Sequence, residues 1–251
     1  MTEAMEGYDA STYGDRIAGV YDEMYDDLDD AGEIVGVLAE LAGGGRALEL
    51  AIGTGRIALP LTARGVEVHG VDASEAMVAR LRSKPGGDSI PVTIGDFGEV
   101  PVEGPFSLVY LVFNTLFALE SQEEQVACFA NVARVLEPGG CFVVEGFFPD
   151  VARFDRGQRV HATRVQVDRV TLDVSVHDPV AQTVLTQHVV LAQDRTSLYP
   201  VSLRYVWPSE MDLMARLAGL LLRDRWSGWK REPFTAPAQK VVSIYELPEP
   251  E

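Results

Sequence analysis

The first 148 residues alternate short apolar runs with stretches of helical spacing, and this alternation restricts the fold more than any other feature. The helical stretches are Glu33–Leu41, Ser74–Arg82 and Gln122–Leu136, and Pro138-Gly139-Gly140 is predicted to end the last of them. The apolar runs are residues 46–52, 66–71, 91–94, 106–113 and 141–145. Strands separated by helices at this spacing predict a parallel sheet built from right-handed crossovers.

The pattern changes after residue 158. Residues 159–207 alternate without a helical period, with Asp178-Pro179 and Tyr199-Pro200 as breaks, so they predict antiparallel hairpins. Pro208–Leu217 is predicted as a helix, and residues 220–226 and 241–247 as closing strands. The fold class is therefore α/β: a doubly wound, mostly parallel seven-stranded sheet with an antiparallel β insertion after the fifth strand. We expect three parts: residues 1–32; residues 33–158 with 208–251; and the insertion 159–207.

Composition excludes several classes of partner. The formal charge is -17 and there are three lysines among 251 residues, whereas a nucleic-acid partner requires clustered basic residues. No run of 18 apolar residues is present, and the first residues lack the pattern of a secretory signal. Cys128 and Cys141 lack metal-ligand spacing, so we expect buried thiols, no metal and a cytoplasmic location.

A glycine turn follows the first predicted strand, in Glu49-Leu50-Ala51-Ile52-Gly53-Thr54-Gly55-Arg56. A strand that runs into glycines and then a helix lets the backbone contact a ligand. Gly53, Gly55 and Ala58 also satisfy the loose dinucleotide pattern G-x-G-x-x-A. Asp72 ends the next strand and is placed to accept hydrogen bonds from ribose hydroxyls, although a helix cap or turn residue is the alternative.

These residues and three later segments together resemble the class I methyltransferases that depend on S-adenosylmethionine (SAM). Residues 48–82 resemble their first two motifs, with Ala51 where many members have glycine. Gly95-Asp96-Phe97 resembles the acidic turn at the adenine, Phe106–Asn114 the fourth strand, and residues 135–140 the L-x-P-G-G turn. The resemblance implies a Rossmann-like methyltransferase fold, SAM as cofactor and S-adenosylhomocysteine (SAH) as product. It implies a cofactor-binding set of Tyr13, Tyr21, Glu49, Ala51, Gly53, Gly55, Arg56, Asp72, Ala73, Met77, Asp96, Phe97, Phe113 and Asn114.

The segment Tyr13–Asp22 is similar to the lid of sugar N,N-dimethyltransferases and other small-molecule enzymes of antibiotic pathways. The resemblance implies that Tyr13 and Tyr21 close over SAM; an amphipathic helix packed on the core is the alternative. Seven acidic and no basic residues lie between Asp22 and Glu33, which disfavours a rigid isolated helix. We therefore expect residues 8–30 to form a mobile lid, and the insertion to shape the acceptor pocket.

The implied reaction is direct displacement at the sulfonium methyl carbon, which depends mainly on alignment. A general base could be one of the insertion histidines or a lid tyrosine, and no catalytic residue is assigned. Arg204 or Arg231 could hold an acidic group of the acceptor. The base candidates in the insertion are His161, His177 and His188. The aromatic residues that fit either an acceptor wall or the core are Phe113, Phe117, Phe147, Phe148 and Trp229.

The predicted function is transfer of a methyl group to an O, N or C atom of a small molecule, a natural-product intermediate. Two alternatives stay open: an NAD(P)-dependent reductase, and a non-catalytic SAM-binding protein. The chain has no Tyr-x-x-x-Lys pair, which argues against the reductase. The expected partner is a small-molecule acceptor, with no nucleic acid and no membrane; whether the protein forms a homodimer is left open.

Overall fold

A computed structural model describes residues 7–25 and 30–250. The helices are α1 (Thr12–Ile17), α2 (Tyr21–Met24), α3 (Ala31–Ala42), α4 (Ala58–Thr62), α5 (Glu75–Arg82), α6 (Gln122–Val135) and α7 (Pro208–Leu217). The strands are β1 (Arg46–Leu50), β2 (Glu67–Asp72), β3 (Val92–Ile94), β4 (Phe106–Leu111), β5 (Leu136–Phe147), β6 (Gln158–Val165), β7 (Arg169–Asp178), β8 (Thr183–Ala192), β9 (Thr196–Arg204), β10 (Leu221–Trp226) and β11 (Lys240–Glu246).

The larger sheet has seven strands in the order β10-β11-β5-β4-β1-β2-β3. Strands β1 to β5 pair in parallel, while β11 pairs antiparallel with both β5 and β10. From β1 the chain continues to β2 and β3 on one side of the sheet, and from β4 it continues to β5 on the other side. The carboxyl ends of β1 and β4 therefore form the switch point where open α/β sheets bind ligands.

Strand β4 lies at the centre of this sheet and is buried along its whole length. Its side chains alternate between two cores: Phe106 and Val109 face one, and Leu108 and Tyr110 the other. Helices α6 and α7 cover the first face, and α3 and α4 the second. This two-sided burial explains the nearly continuous apolar sequence of β4 and confirms the doubly wound prediction.

Helix α5 begins where β2 reaches the switch point. Ser74 is its N-cap, as predicted, and its hydroxyl accepts a 3.1 Å hydrogen bond from the backbone N–H of Met77. A cap of this kind satisfies an N–H that would otherwise lack a partner.

The prediction for β5 was partly wrong. Helix α6 ends at Val135, and the strand begins at Leu136 rather than at Cys141, so Pro138-Gly139-Gly140 lies within it. The pairing with β4 shifts register between Phe106 and Leu108 at this point. A Cβ on Gly140 would lie 2.7 Å from the carbonyl oxygen of Glu137 and 3.0 Å from that of Phe106, so the irregular strand requires glycine there.

The four strands β6 to β9 form a second, antiparallel sheet in sequential order, which confirms the insertion after the fifth strand. The predicted break at Tyr199-Pro200 is wrong, because the strand continues through both residues. Pro200 lies inside β9, opposite Gln187. Because β9 is an edge strand, a residue without an N–H is tolerated there.

Cys128 and Cys141 are buried free thiols, as expected. Within residues 7–25 and 30–250, no helix has the length and apolarity needed to cross a membrane. The same described residues contain no group of three or more potential metal ligands.

Candidate active site

The glycine turn after β1 uses left-handed backbone at three positions. Ala51, Gly53 and Gly55 have φ values of +56°, +55° and +77°. A Cβ on Gly55 would lie 2.3 Å from Cδ1 of Leu81, a distance no real side chain tolerates. Gly55 therefore lets the turn pack against α5, and it does not line the cavity at this edge of the sheet.

Asp72 connects this turn to the start of α5. Its side chain is 7% exposed and accepts hydrogen bonds from the backbone N–H groups of Gly53 (2.7 Å) and Ser74 (2.8 Å). Burial raises the pKa of this carboxyl group. Asp72 thus acts as a turn and cap residue and also faces the cavity, where its remaining lone pairs are available to a ligand.

Glu49 is the second carboxyl group beneath the turn. It is 4% exposed, and the Tyr110 hydroxyl donates a 3.0 Å hydrogen bond to it. Burial raises the pKa of Glu49 to about 8. The protonated form therefore predominates at pH 7, and the cavity carries less negative charge than its sequence suggests.

Arg56 follows the turn and carries unused hydrogen-bonding capacity. Its guanidinium lies 3.6 Å from the ring centroid of Phe113 and donates one hydrogen bond, to the Tyr25 carbonyl oxygen at 3.1 Å. Nε and Nη2 are buried and have no partner among the described residues. Because an unpaired buried cation is costly, these two donors indicate an anionic ligand.

The turn after β4 is held in an uncommon conformation. Phe113 and Asn114 both have positive φ, at +58° and +66°. The buried Glu145 carboxylate accepts from the Phe113 N–H at 2.9 Å, and the Asn114 amide oxygen accepts from the Phe147 N–H at 2.7 Å. Strand β5 therefore fixes this turn at the switch point, and such strained backbone is typical of binding sites.

Lys240 extends the network, since its Nζ lies 2.7 Å from both Glu145 and Asp30.

The acidic turn after β3 supplies another wall. Asp96 accepts a 2.8 Å hydrogen bond from the N–H of Gly98, and the Phe97 side chain is 8% exposed. Both residues line the cavity, together with Ala73 and Met77 from the start of α5.

The N-terminal helices lie over the opening between α5 and β9. Tyr13 and Tyr25 share a 3.0 Å hydrogen bond, and the rings of Tyr21 and Tyr25 are 4.8 Å apart. Burial raises the pKa values of Tyr13 and Tyr21. Packing of these tyrosines with Ile17 and Met77 makes a small separate apolar cluster.

Asp22 and Asp15 link this segment to the sheet edge, in addition to the Tyr25 carbonyl oxygen that accepts from Arg56 and the Tyr8 hydroxyl that accepts from the Ser202 N–H. The Asp22 carboxylate accepts hydrogen bonds from the Thr54 hydroxyl at 2.6 Å and from Lys84 Nζ at 2.9 Å. The Ser74 hydroxyl donates to Asp15 at 2.5 Å. The predicted lid extends to residue 30, and its residues 26–29 lie outside the described part of the chain.

All of these elements surround one cavity of about 790 Å³. Thirteen of the fourteen predicted cofactor residues line it, Gly55 being the exception. The cavity extends from the carboxyl edge of the parallel sheet to the inner face of the antiparallel sheet. One end is therefore formed by the motif residues and the other by the insertion.

The insertion contributes a polar face to the cavity. The sequence predicted only two residues of this face, His161 and His188. Asp173 and His188 lie opposite each other on β7 and β8, with Nδ1 of His188 2.6 Å from the Asp173 carboxylate. The Ser175 and Thr186 hydroxyls hydrogen bond at 2.8 Å in the next row. The residues of this face that line the cavity are Arg159, His161, Asp173, Ser175, Thr186, His188, Val201 and Leu203. Their spacing of two along each strand is a signal that could have grouped them.

His161 and His188 line the cavity, whereas His177 does not. The His177 ring nitrogen Nε2 lies 3.0 Å from the Tyr205 hydroxyl, and the ring stacks on Phe154. His177 is therefore a packing residue, and the structure excludes it as a base at the cavity.

The expected aromatic wall is largely core. Phe113 and Phe147 line the cavity, but Phe117 lies beneath them, in edge contact with Phe147. Phe148 packs against Trp207, and Trp229 is buried in the core behind the sheet. Two of the five aromatic residues therefore contribute to the cavity wall.

Neither predicted anion-binding arginine reaches the cavity. Arg204 is 6% exposed and pairs with Glu210 at 2.7 Å, while Arg231 pairs with Glu40 on the surface. The arginines at the cavity are Arg56, Arg153 and Arg159, of which the last two were not predicted.

Fold and site together define a class of enzyme: a Rossmann-like sheet with a ligand cavity at its switch point, bounded by a glycine turn and an acid at the end of β2. The profile of the family described as "Methyltransferase domain" matches residues 47–140. The solved CcbJ methyltransferase of Streptomyces caelestis is 41% identical with a TM-score of 0.91, covering 96% of this chain and 100% of that chain. The protein belongs to this family and is a SAM-dependent methyltransferase, not a reductase.

Two further methyltransferases are similar to this chain. The cypemycin N-terminal methyltransferase of a Streptomyces species is 29% identical over 245 residues, 95% of this chain and 98% of that protein. SAM-bound CalS10 of Micromonospora echinaspora, an amino pentose methyltransferase involved in calicheamicin biosynthesis, has a TM-score of 0.70 at 21% identity, covering 91% of this chain and 96% of that one. The likeness to CalS10 concerns the fold alone.

Proposed function

We propose that the enzyme transfers the methyl group of SAM to an amine nitrogen of a small molecule, an intermediate of natural-product biosynthesis. The observation that carries this proposal is one continuous cavity with a motif-lined end and a polar end formed by the insertion. The motif-lined end suits the cofactor and the insertion suits an acceptor.

The residues at the motif-lined end fit SAM. The unpartnered Nε and Nη2 of Arg56 suit the carboxylate of its methionine portion. Asp72 would accept hydrogen bonds from the ribose hydroxyls, and Asp96 and Phe97 would hold the adenine through its exocyclic amine and ring. When bound, SAM supplies a methyl group on a positively charged sulfur, and the chain provides alignment and exclusion of water.

The charge of the cavity favours a basic acceptor. Nine carboxyl side chains and four basic ones line it among the described residues. Even with Glu49 protonated, the remaining eight carboxylates outnumber the four cations, and such an excess attracts a cation and disfavours an anion. The cypemycin enzyme is named for an N-terminal amine, which supports the same acceptor atom.

Matched acceptor probes test the proposal. We expect methyl-labelled SAM to label methyl 4-amino-4,6-dideoxyglucopyranoside or a pentapeptide with a free amino terminus. The 4-hydroxy glycoside and the N-acetylated pentapeptide should stay unlabelled, since neither has a basic nitrogen. Mass spectrometry locates the added methyl group, and reactions without enzyme correct for spontaneous methylation. Label in the hydroxy or acetylated partner, or in no amine, contradicts the amine proposal.

We also propose that the N-terminal segment, residues 8–30, forms a lid over the cavity. Its two described helices have six and four residues, and individual hydrogen bonds at Tyr8, Asp15, Asp22 and Tyr25 link them to the rest of the molecule. Short helices held by individual polar contacts belong to the low-stability end of a structure. Hydrogen exchange over residues 8–25 should slow when SAH is added, while exchange in α6 stays unchanged. Equal, high protection with and without SAH would identify a fixed element instead.

A further inference from the structure

We infer that His188, oriented by Asp173, takes the proton that the acceptor amine must lose before it is methylated. This inference rests on the proposed function and assigns a catalytic role that the motifs leave open. It depends on the geometry of the antiparallel sheet, because both residues project from neighbouring strands into the acceptor end of the cavity.

The Asp173 carboxylate fixes the tautomer of the imidazole. The 2.6 Å contact is to Nδ1, and a carboxylate can only accept a hydrogen bond there. Neutral His188 therefore carries its proton on Nδ1 and presents the lone pair of Nε2. The same division of roles is found wherever a carboxylate orients a catalytic histidine.

Nε2 of His188 is available to a ligand. It has no hydrogen-bond partner among residues 7–25 and 30–250, and the side chain lines the cavity with 19% exposure. The charged and titratable groups around the pair are His161 on β6, Tyr199 on β9, Arg153, Arg159 and, from the N-terminal segment, Tyr25.

The other insertion histidines are less suited to this task. His161 lies opposite Asp173 on β6, but it makes no hydrogen bond to it, and its side chain is exposed. His177 is paired with Tyr205 away from the cavity. Only His188 among the three combines a carboxylate partner, partial burial and a free ring nitrogen at the cavity.

The chemistry is a single proton transfer. An alkylamine enters mostly as an ammonium ion at neutral pH and has no lone pair with which to attack carbon. Its N–H bond breaks, the electron pair stays on the amine nitrogen, and a new N–H bond forms at Nε2 of His188. The resulting imidazolium is stabilised by the Asp173 carboxylate at its other nitrogen.

His188→Gln and Asp173→Asn test the inference with the labelled amine probe. We expect His188→Gln to lower kcat about 100-fold at pH 7, the lower part of the range for general-base catalysis. The deficit should shrink as pH rises, because solvent then supplies the unprotonated amine. Asp173→Asn should lower kcat less than His188→Gln does, and this deficit should also shrink as pH rises. His177→Gln is the matched control, with a wild-type pH profile because that ring lies outside the cavity.

Two measurements separate this inference from the proposed function. SAH affinity measured by calorimetry should be unchanged in His188→Gln, which shows that the fold and the cofactor end are intact. In the wild type, diethyl pyrocarbonate should acylate Nε2 of His188 faster than His177, a result that requires no turnover. Slow acylation of His188, or a deficit of equal size at every pH, overturns the proton-transfer role. Failure of wild type to methylate any amine while His188 reacts rapidly would count against the acceptor class alone.

Discussion

Replacing Asp72 with alanine is expected to weaken SAH binding by about 1.5–3 kcal/mol, which is roughly 10- to 150-fold in Kd. The loss is large because the carboxylate is 7% exposed and would accept the ribose hydroxyls in a site with little competing water. Calorimetric titration of the purified variant with SAH measures it directly. The variant also leaves the N–H groups of Gly53 and Ser74 without their acceptor, so the folded fraction must be confirmed by circular dichroism.

Two further variants make this result specific. Asp72→Asn keeps the shape of the side chain and should bind SAH with intermediate affinity. Asp88→Ala removes an exposed aspartate from the turn after α5 and should bind like wild type. Wild-type affinity in a folded Asp72→Ala variant would show that Asp72 serves only as a cap and turn residue.

Arg204→Met is expected to lower the free energy of unfolding by about 3 kcal/mol, since removing one member of a buried ion pair strands the other. Arg204 donates to Gln125, Gln182 and Glu210, so two amide oxygens lose a donor and Glu210 loses its cation while keeping hydrogen bonds from Gln122 and Gln182. These contacts join β9 to α6 and α7 and hold the insertion on the main sheet. Urea denaturation measures the change.

Arg231→Met is the matched control. Its pair with Glu40 lies on the surface, where ion pairs add little, and unfolding should be close to wild type. The comparison separates a structural arginine from an acceptor-binding one. A stable Arg204→Met enzyme that had lost acceptor binding would contradict the structural role and restore the sequence-based hypothesis.

The parallel half of the fold could be predicted because its constraints are local. An all-apolar strand such as Phe106–Leu111 indicates burial on both faces, and Ser74 before Glu75 indicates a helix start. Thirteen of the fourteen predicted cofactor residues reach the cavity, and those that follow β1, β2, β3 and β4 do so because the carboxyl ends of parallel strands meet at one edge. Gly55 does not, because its conformation serves contact with Leu81, which only tertiary structure reveals.

The acceptor end could not be predicted to the same depth. Alternation within β7 and β8 separates two faces, but it does not tell which face meets the cavity or which residues pair. The contact between Asp173 and His188 depends on that pairing register. Aromatic residues were misleading for a related reason: Phe117 and Trp229 suit a core as well as a pocket wall, and the core contains them.

The most direct test of the central claim is a crystal structure of the enzyme with SAH. We predict that the nucleoside lies at the carboxyl edge between β1 and β4, with its ribose hydroxyls within hydrogen-bonding distance of Asp72. Its adenine should contact Asp96 and Phe97, and its carboxylate should contact Arg56. SAH bound anywhere else, or bound in this cavity with Asp72 and Arg56 turned away from it, would contradict the account.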